Sequence, residues 1–208
     1  GGHIAANYLT YPDLEPPFIC LVASGGHSHI IEVLDYDRFR LLGHTRDDAA
    51  GEAFDKVARA LGLPYPGGPE LEKLALEGDP KKYPFHSALN SSAEEADFSF
   101  SGIKTAVVNL MHNAAQKGET LSKADIAASF QRAVCDTLTL KAVHAAKEHG
   151  FNTLALAGGV SANRALRSSL ARACEEQGIR FCCPDFRYCT DNAAMIACAG
   201  HYALMAGE

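Results

Sequence analysis

Thr153-Leu154-Ala155-Leu156-Ala157, running into Gly158-Gly159-Val160-Ser161-Ala162-Asn163, is the stretch on which the fold turns. Its Leu and Ala residues show no polar alternation, so they read as a short strand covered on both faces. Two glycines end the strand, and Ala162–Gln177 then carries a helical pattern that stops at Gly178. Ile179–Cys182 is a second strand, closed by Pro184, and Asp191–Met205 reads as a last helix. Strand, helix, strand and helix in this order imply parallel pairing with a right-handed crossover.

Upstream, the runs Phe18–Ala23, His29–Tyr36 and Phe39–Thr45 are joined by short connections at Ser24-Gly25-Gly26 and Asp37-Arg38, the pattern of a β-meander. Asp48–Leu61 spaces Phe54, Val57, Ala58 and Leu61 as an amphipathic helix, and the Pro- and Gly-rich run Leu63–Pro69 is a loop. Gly102–Gln116 and Ser122–His149 are the longest helical segments, and Ser122 with Asp125 approximates a capping box. A meander, long helices and then a parallel βαβ unit predict an α/β protein. The expected architecture is an RNase H-like half of actin type, a mixed sheet flanked by helices. Residues 18–208 form that domain, with a helical, turn-rich insertion at about 69–99, and residues 1–17 read as the end of a preceding lobe.

The composition is that of an ordinary globular chain: 208 residues, 47% hydrophobic and 21% charged. With 19 basic and 25 acidic residues the net charge is -6, so global charge steers nothing toward nucleic acid. No apolar run reaches the roughly 18 residues that span a bilayer, and no signal-peptide pattern opens the chain. The 7 cysteines are an odd number scattered through apolar segments, without a C-x-x-C pair. Buried thiols in a reducing compartment fit them best, and the expected location is cytoplasmic. The spacing of Cys182, Cys183 and Cys189 matches no standard zinc pattern.

Several strings invite a chemical reading beside a plain one. Val22-Ala23-Ser24-Gly25-Gly26-His27-Ser28 can cradle a phosphate on its glycine amides, or be a simple hairpin turn. Gly158–Asn163 sits where open α/β sheets bind ligands, at a strand's carboxyl end and a helix's amino end. Its plain reading makes Ser161 an N-cap and leaves the Asn163 amide for a nucleoside. Asp47, Asp48, Glu52 and Asp55 crowd like charges at helical spacing unless a cation or a hydroxyl-bearing ligand is near. Asp191 in Thr190-Asp191-Asn192 serves at least as a helix-dipole partner, and His3 alone says nothing.

Together these strings resemble the bacterial tRNA N6-adenosine threonylcarbamoyltransferase family, formerly described as O-sialoglycoprotein endopeptidases. The matching segments are Gly2-His3, Ser24–His27, Asp47–Lys56, Tyr65–Pro69, Asp97–Val107, Ser129–Gln131, Gly158–Asn163 and Thr190–Met195, in the family's order. The resemblance implies the fold of actin, Hsp70 and sugar kinases. It implies a threonylcarbamoyl-adenylate bound by Val22, Ala23, Ser24, Gly25, Gly26, Asp55, Gly68 and Asn163, and acyl transfer to the N6 amine of an adenosine beside the anticodon of tRNA. One divalent metal ion, iron or zinc, is implied on Asp191 and on His3, which matches the second histidine of the family's H-x-x-x-H helix. The implied partners are tRNA, a paralogous actin-like subunit and an accessory ATPase. The family's amino-terminal lobe and first metal histidine are missing from the match, so the resemblance implies an incomplete, inactive form. Lys56, Lys104, Arg132, Arg164 and Arg167 are candidate contacts for RNA phosphates. No side chain stands out as a general base.

Two other classes stay open on the residues alone: a kinase of the same fold, and a non-catalytic scaffold that binds a nucleotide or a partner. A metalloprotease would need an H-E-x-x-H helix, which the sequence lacks.

Overall fold

Phe18–Ala23 (β1) is buried along its whole length. Alternation sends Phe18, Cys20 and Val22 to one side and Ile19, Leu21 and Ala23 to the other. The strand thus faces two hydrophobic cores, and a sheet with helices on both faces follows. The computed structural model describes residues 2–186 and 189, with side chains from residue 4 onward.

β1 is central in a sheet completed by β2 (Ser28–Asp35), β3 (Arg38–His44), β4 (Thr153–Ala157) and β5 (Arg180–Cys182), in the order β3-β2-β1-β4-β5. β2 pairs antiparallel with β1 and β3, while β4 pairs parallel with β1 and β5. The meander and the crossover meet at β1, as the RNase H-like reading requires. Both crossover connections are helical: α6 (Lys123–Glu148) precedes β4, and α7 (Arg164–Gln177) joins β4 to β5. Gly178 ends α7 in the left-handed conformation at φ 68°, which only glycine adopts without strain.

The larger core joins Ile19, Leu21, Leu154 and Leu156 to α2 (Ala50–Ala60), α3 (Gly67–Ala75), α5 (Ser101–Gln116), α6 and α7. Phe54 of α2 meets Phe130 of α6 edge to face, with centroids 5.3 Å apart, and Phe98 and Phe100 are fully buried. On the opposite face α1 (Gly2–Thr10) and the turn after it lay Ile4, Tyr8 and Leu14 over Phe18, Cys20 and Val22. Asn7 Nδ2 of α1 donates to Leu156 O at 2.7 Å, beyond the reach of the short β5, so a buried carbonyl finds its partner there.

The segment at 69–99 holds most of α3, the single turn α4 (Ala88–Ser91) and connecting turns. Its end enters the core through Phe98, whose backbone pairs with His44 and Arg46. Lys141 of α6, 2% exposed, donates its ammonium to the carbonyls of Leu89, Ser92 and Glu95 and so ties this segment down. Ser122 caps α6 as expected, accepting from Asp125 N at 3.2 Å. The Asp125 carboxylate accepts instead from Asp79 N at 2.8 Å, so it anchors a distant turn and not its own helix start. The expected helix Asp191–Met205 lies outside the described residues.

Candidate functional site

β1 and β4 are parallel neighbours, so the turns after Ala23 and Ala157 leave the sheet at the same edge. They touch. A Cβ on Gly158 (φ +95°) would stand 2.2 Å from Ala23 O. On the other side Gly51, in the first turn of α2, comes so near that a Cβ there would lie 2.7 Å from Ser24 O and Gly25 Cα. Gly51 N donates to Ser24 O, and Ala50 N donates to Ser28 Oγ at 2.8 Å, seating α2 on the hairpin.

These close approaches leave a cleft of about 260 Å³. Gly25, Asp55, Gly68 and Asn163, from four separate segments, all line it, together with Phe54, Glu72 and the 159–162 turn. A wider recess of about 560 Å³ shares Gly25 and Asp55 with it and carries Lys56, Arg59 and Tyr65. The remaining residues of the expected phosphate loop lie elsewhere. Val22 and Ala23 are core residues on opposite faces of β1. Ser24 is buried and spent on the turn, its hydroxyl accepting from His27 N at 3.0 Å, while Gly26 is exposed beyond the cleft lining.

Asp55 Oδ1 accepts from Gly67 N at 3.1 Å and so holds the start of α3. Asn163, not Ser161, is the N-cap of α7: its Oδ1 accepts from Leu166 N at 2.9 Å, and its Nδ2 donates to Gln131 Oε1 at 2.8 Å. Ser161 lies in the preceding 3₁₀ turn (Gly159–Ala162), its hydroxyl donating to Gly158 O. The reason is geometric: the extra turn moves the helix start to Arg164, two residues beyond the expected one. Glu72 Oε1 accepts from Arg164 N at 2.8 Å, so a carboxylate already lies at the amino end where an anion would be favoured. The sequence reading missed Glu72. It follows Gly68 by one helical turn, and that spacing was the available signal.

The acidic cluster resolves without a ligand. Asp47 accepts from Phe100 N, Ser101 N and Ser99 Oγ, capping α5. Asp48 Oδ2 meets Lys104 Nζ at 2.9 Å and Lys56 Nζ at 3.2 Å, and Lys56 also pairs with Glu52. Burial works to raise both aspartates, but these donors prevail and hold both carboxyls below their ordinary value.

The five candidate RNA contacts all have internal partners. Lys56 and Lys104 are spent on Asp48, and Arg132 pairs with Asp136. Arg164 and Arg167 stack on Phe186. Of the expected metal ligands, His3 stands in α1 but its side chain lies outside the described residues, as does Asp191. Among the described residues no three His, Cys, Asp or Glu side chains gather as a metal site, and no helix is long and apolar enough to cross a membrane.

The strand order, the crossovers and a cleft at the carboxyl ends of adjacent parallel strands define the class: an α/β protein of the RNase H-like, actin-type fold. Solved structures agree. Full-length HypF in its phosphate- and nucleotide-bound form superposes with a TM-score of 0.74 at 17% identity, covering 100% of this chain and 35% of HypF. The T. kodakarensis HypF gives 0.71 at 16% identity, covering 97% of this chain and 36% of its own. At such identity the likeness concerns fold alone.

A family model described as TsaD, tRNA N6-adenosine threonylcarbamoyltransferase, matches residues 1–198, and the chain belongs to that family. Curated relatives bearing the same description include those of Caldicellulosiruptor saccharolyticus, 53% identical over 207 residues, and Clostridium perfringens, 51% identical. The whole chain is covered in each, and it spans 61% of those relatives' length.

Proposed function

We propose that this chain forms the nucleotide-side half of an acyltransferase that moves a threonylcarbamoyl group from its adenylate to the N6 amine of a tRNA adenosine. One observation carries the reading. The cleft brings Gly25, Asp55, Gly68 and Asn163 together from four distant segments, the positions that family resemblance marks for the adenylate. In this reading the Asp55 and Glu72 carboxylates accept hydrogen bonds from ligand hydroxyls, and the Asn163 amide orients the base. The glycine turns at 25 and 159 let backbone amides approach the phosphoryl group. The sequence places residues 1–17 at the end of a preceding lobe, yet α1 packs on this domain's own sheet; that lobe would supply the cleft's other wall, and the insertion spans about 69–99.

The adenine amine of tRNA attacks the threonylcarbamoyl carbonyl, and the adenylate leaves as AMP. This chain's contribution is placement of the acyl donor, which is a large part of any acyl transfer. His3 and Asp191 would hold the divalent ion. An imidazole with a carboxylate suits iron or zinc, but the pair falls one short of the three protein ligands common at catalytic metals. When bound, the ion supplies Lewis-acid polarisation of the acyl group. Grip on tRNA is assigned mainly to the paralogous subunit, with the accessory ATPase acting on the assembly, because the five candidate contacts Lys56, Lys104, Arg132, Arg164 and Arg167 all have internal partners. The protein acts in the cytoplasm.

The test is calorimetric titration of the chain with AMP, beside an assay of radiolabelled threonine incorporation into tRNA. Asp55→Asn should weaken AMP at least tenfold, and the 208-residue chain alone should give no turnover. AMP affinity untouched by Asp55→Asn and by Gly68→Val would remove the cleft from the reaction. A chain that phosphorylates a small acceptor from ATP would favour the kinase reading.

A further inference from the structure

Arg167 gathers five partners at the foot of α7. Its Nε donates to Ser161 O, Nη2 donates to Pro184 O, and the guanidinium lies 4.0 Å from the centre of the Phe186 ring. The last two contacts are thiols. Nη1 donates to Cys183 Sγ at 3.2 Å and Nη2 to Cys189 Sγ at 3.0 Å. Both cysteines are reduced. One planar group therefore holds two sulfurs side by side, across a turn closed by Cys189 N donating to Phe186 O.

A guanidinium bonded to both sulfurs repels a metal cation, which sets aside a thiolate metal site for this cluster. Cys182 belongs to the opposite core, beneath α1. We propose that Cys183 and Cys189 are a thiol-oxidation site that closes to a reversible disulfide when a hydroperoxide reaches it. Cys183 is half-buried whereas Cys189 is covered, so Cys183 meets the oxidant first. The Cys183 sulfur takes the terminal peroxide oxygen as the O–O bond breaks, giving a sulfenic acid and releasing the rest of the peroxide as an alcohol, or as water from hydrogen peroxide. The Cys189 sulfur then attacks that sulfur, the S–O bond breaks, and the hydroxyl leaves as water with the second thiol's proton. Two electrons have passed from the thiols to the peroxide.

Selectivity follows from the surroundings. Burial pushes the Cys20 thiol up to about 12 and those of Cys174 and Cys182 up to about 11. At Cys183 burial also raises the thiol and Arg167 offsets only part of that, so its exposure and its neighbour at Cys189 are what single it out. A disulfide needs the sulfurs about 2.05 Å apart, so closing it draws them off separate guanidinium nitrogens. Arg167 then loses two acceptors, and its hold on Ser161 O in the 159–162 turn loosens.

The experiment treats the 208-residue chain with hydrogen peroxide, alkylates free thiols and digests with trypsin, which cleaves after Arg180 and Arg187. The expected product is peptide 181–187 linked to peptide 188–208. The link should persist with Cys182→Ala and Cys198→Ala combined, vanish with Cys183→Ser or Cys189→Ser, and reverse with dithiothreitol. Full alkylation of both thiols after oxidation, or a link that depends on Cys182, overturns the proposal. Hydrogen exchange supplies a second readout that needs no nucleotide: amides 158–163 should exchange several-fold faster in the oxidised chain. Unchanged exchange there overturns the coupling to the turn.

Discussion

Replacing Asn163 by alanine removes two hydrogen bonds at once, one along the chain and one across it. The lost cap leaves Leu166 N without its acceptor at the start of α7, at a typical cost of about 1 kcal/mol. The lost bond to Gln131 strands a part-buried amide oxygen and costs about another 1 kcal/mol. Both groups belong to one network, so the sum is about 2 kcal/mol with some coupling. In a chain of this size that lowers the melting temperature by about 4–8 °C. Asn163→Asp keeps the cap, its charge is favoured by the helix's amino end and opposed by the Glu72 carboxylate already there, and Gln131 can turn its amide to donate. It should melt within about 2 °C of the parent. Thermal melts followed by circular dichroism decide between the two. An alanine variant as stable as the parent, or an aspartate variant as damaged as the alanine one, would refute the capping argument. The aspartate variant also separates structure from binding. If it stays folded and loses AMP, the amide was a ligand contact as well as a cap.

Lys141→Met should destabilise the chain by about 2–4 kcal/mol in urea unfolding, because three carbonyls lose a buried donor, and a variant as stable as the parent would make that ammonium dispensable. Gly158→Ala should cost at least about 2 kcal/mol in the same measurement, since its φ is +95° and Ala23 O occupies the place of the methyl group. Asp47 and Asp48 are held below their ordinary pKa, so their stabilisation is complete above about pH 4 and is lost as pH falls through the lower folded values. Asp48→Asn should therefore flatten the acid limb of a melting-temperature profile, while leaving its slope near neutrality unchanged.

What the sequence made legible depended on how local each determinant was. The strands and long helices were readable because their signals are periodic: β1 alternates between two cores, and Ser122 sits one residue before α6 where a cap belongs. The parallel pairing at β4 was readable because an uninterrupted apolar strand followed by a helix and a second strand is covered on both faces. Ligand-like strings were harder, since glycine and carboxylate carry the same letters in a cradle and in a cap. The crowded carboxylates Asp47, Asp48, Glu52 and Asp55 pointed to a nearby cation or ligand; Asp48 meets Lys56 and, far along the chain, Lys104, while Asp47 caps α5. Asn163 looked free for a nucleoside because the cap had been assigned to Ser161; a 3₁₀ turn, invisible to a helical pattern, moved the helix start and with it the cap. Glu72 escaped notice because its partner, Arg164 N, is a backbone group that no motif records. The same residues explain why the cleft exists at all. Asp55, Glu72 and Asn163 each hold one helix start or turn in place while facing the same cavity, so their fold-building bonds are also what aims them at it. A substitution that spares those bonds and changes the exposed chemistry is therefore the only kind that can separate binding from folding here, and Asn163→Asp is the first to make.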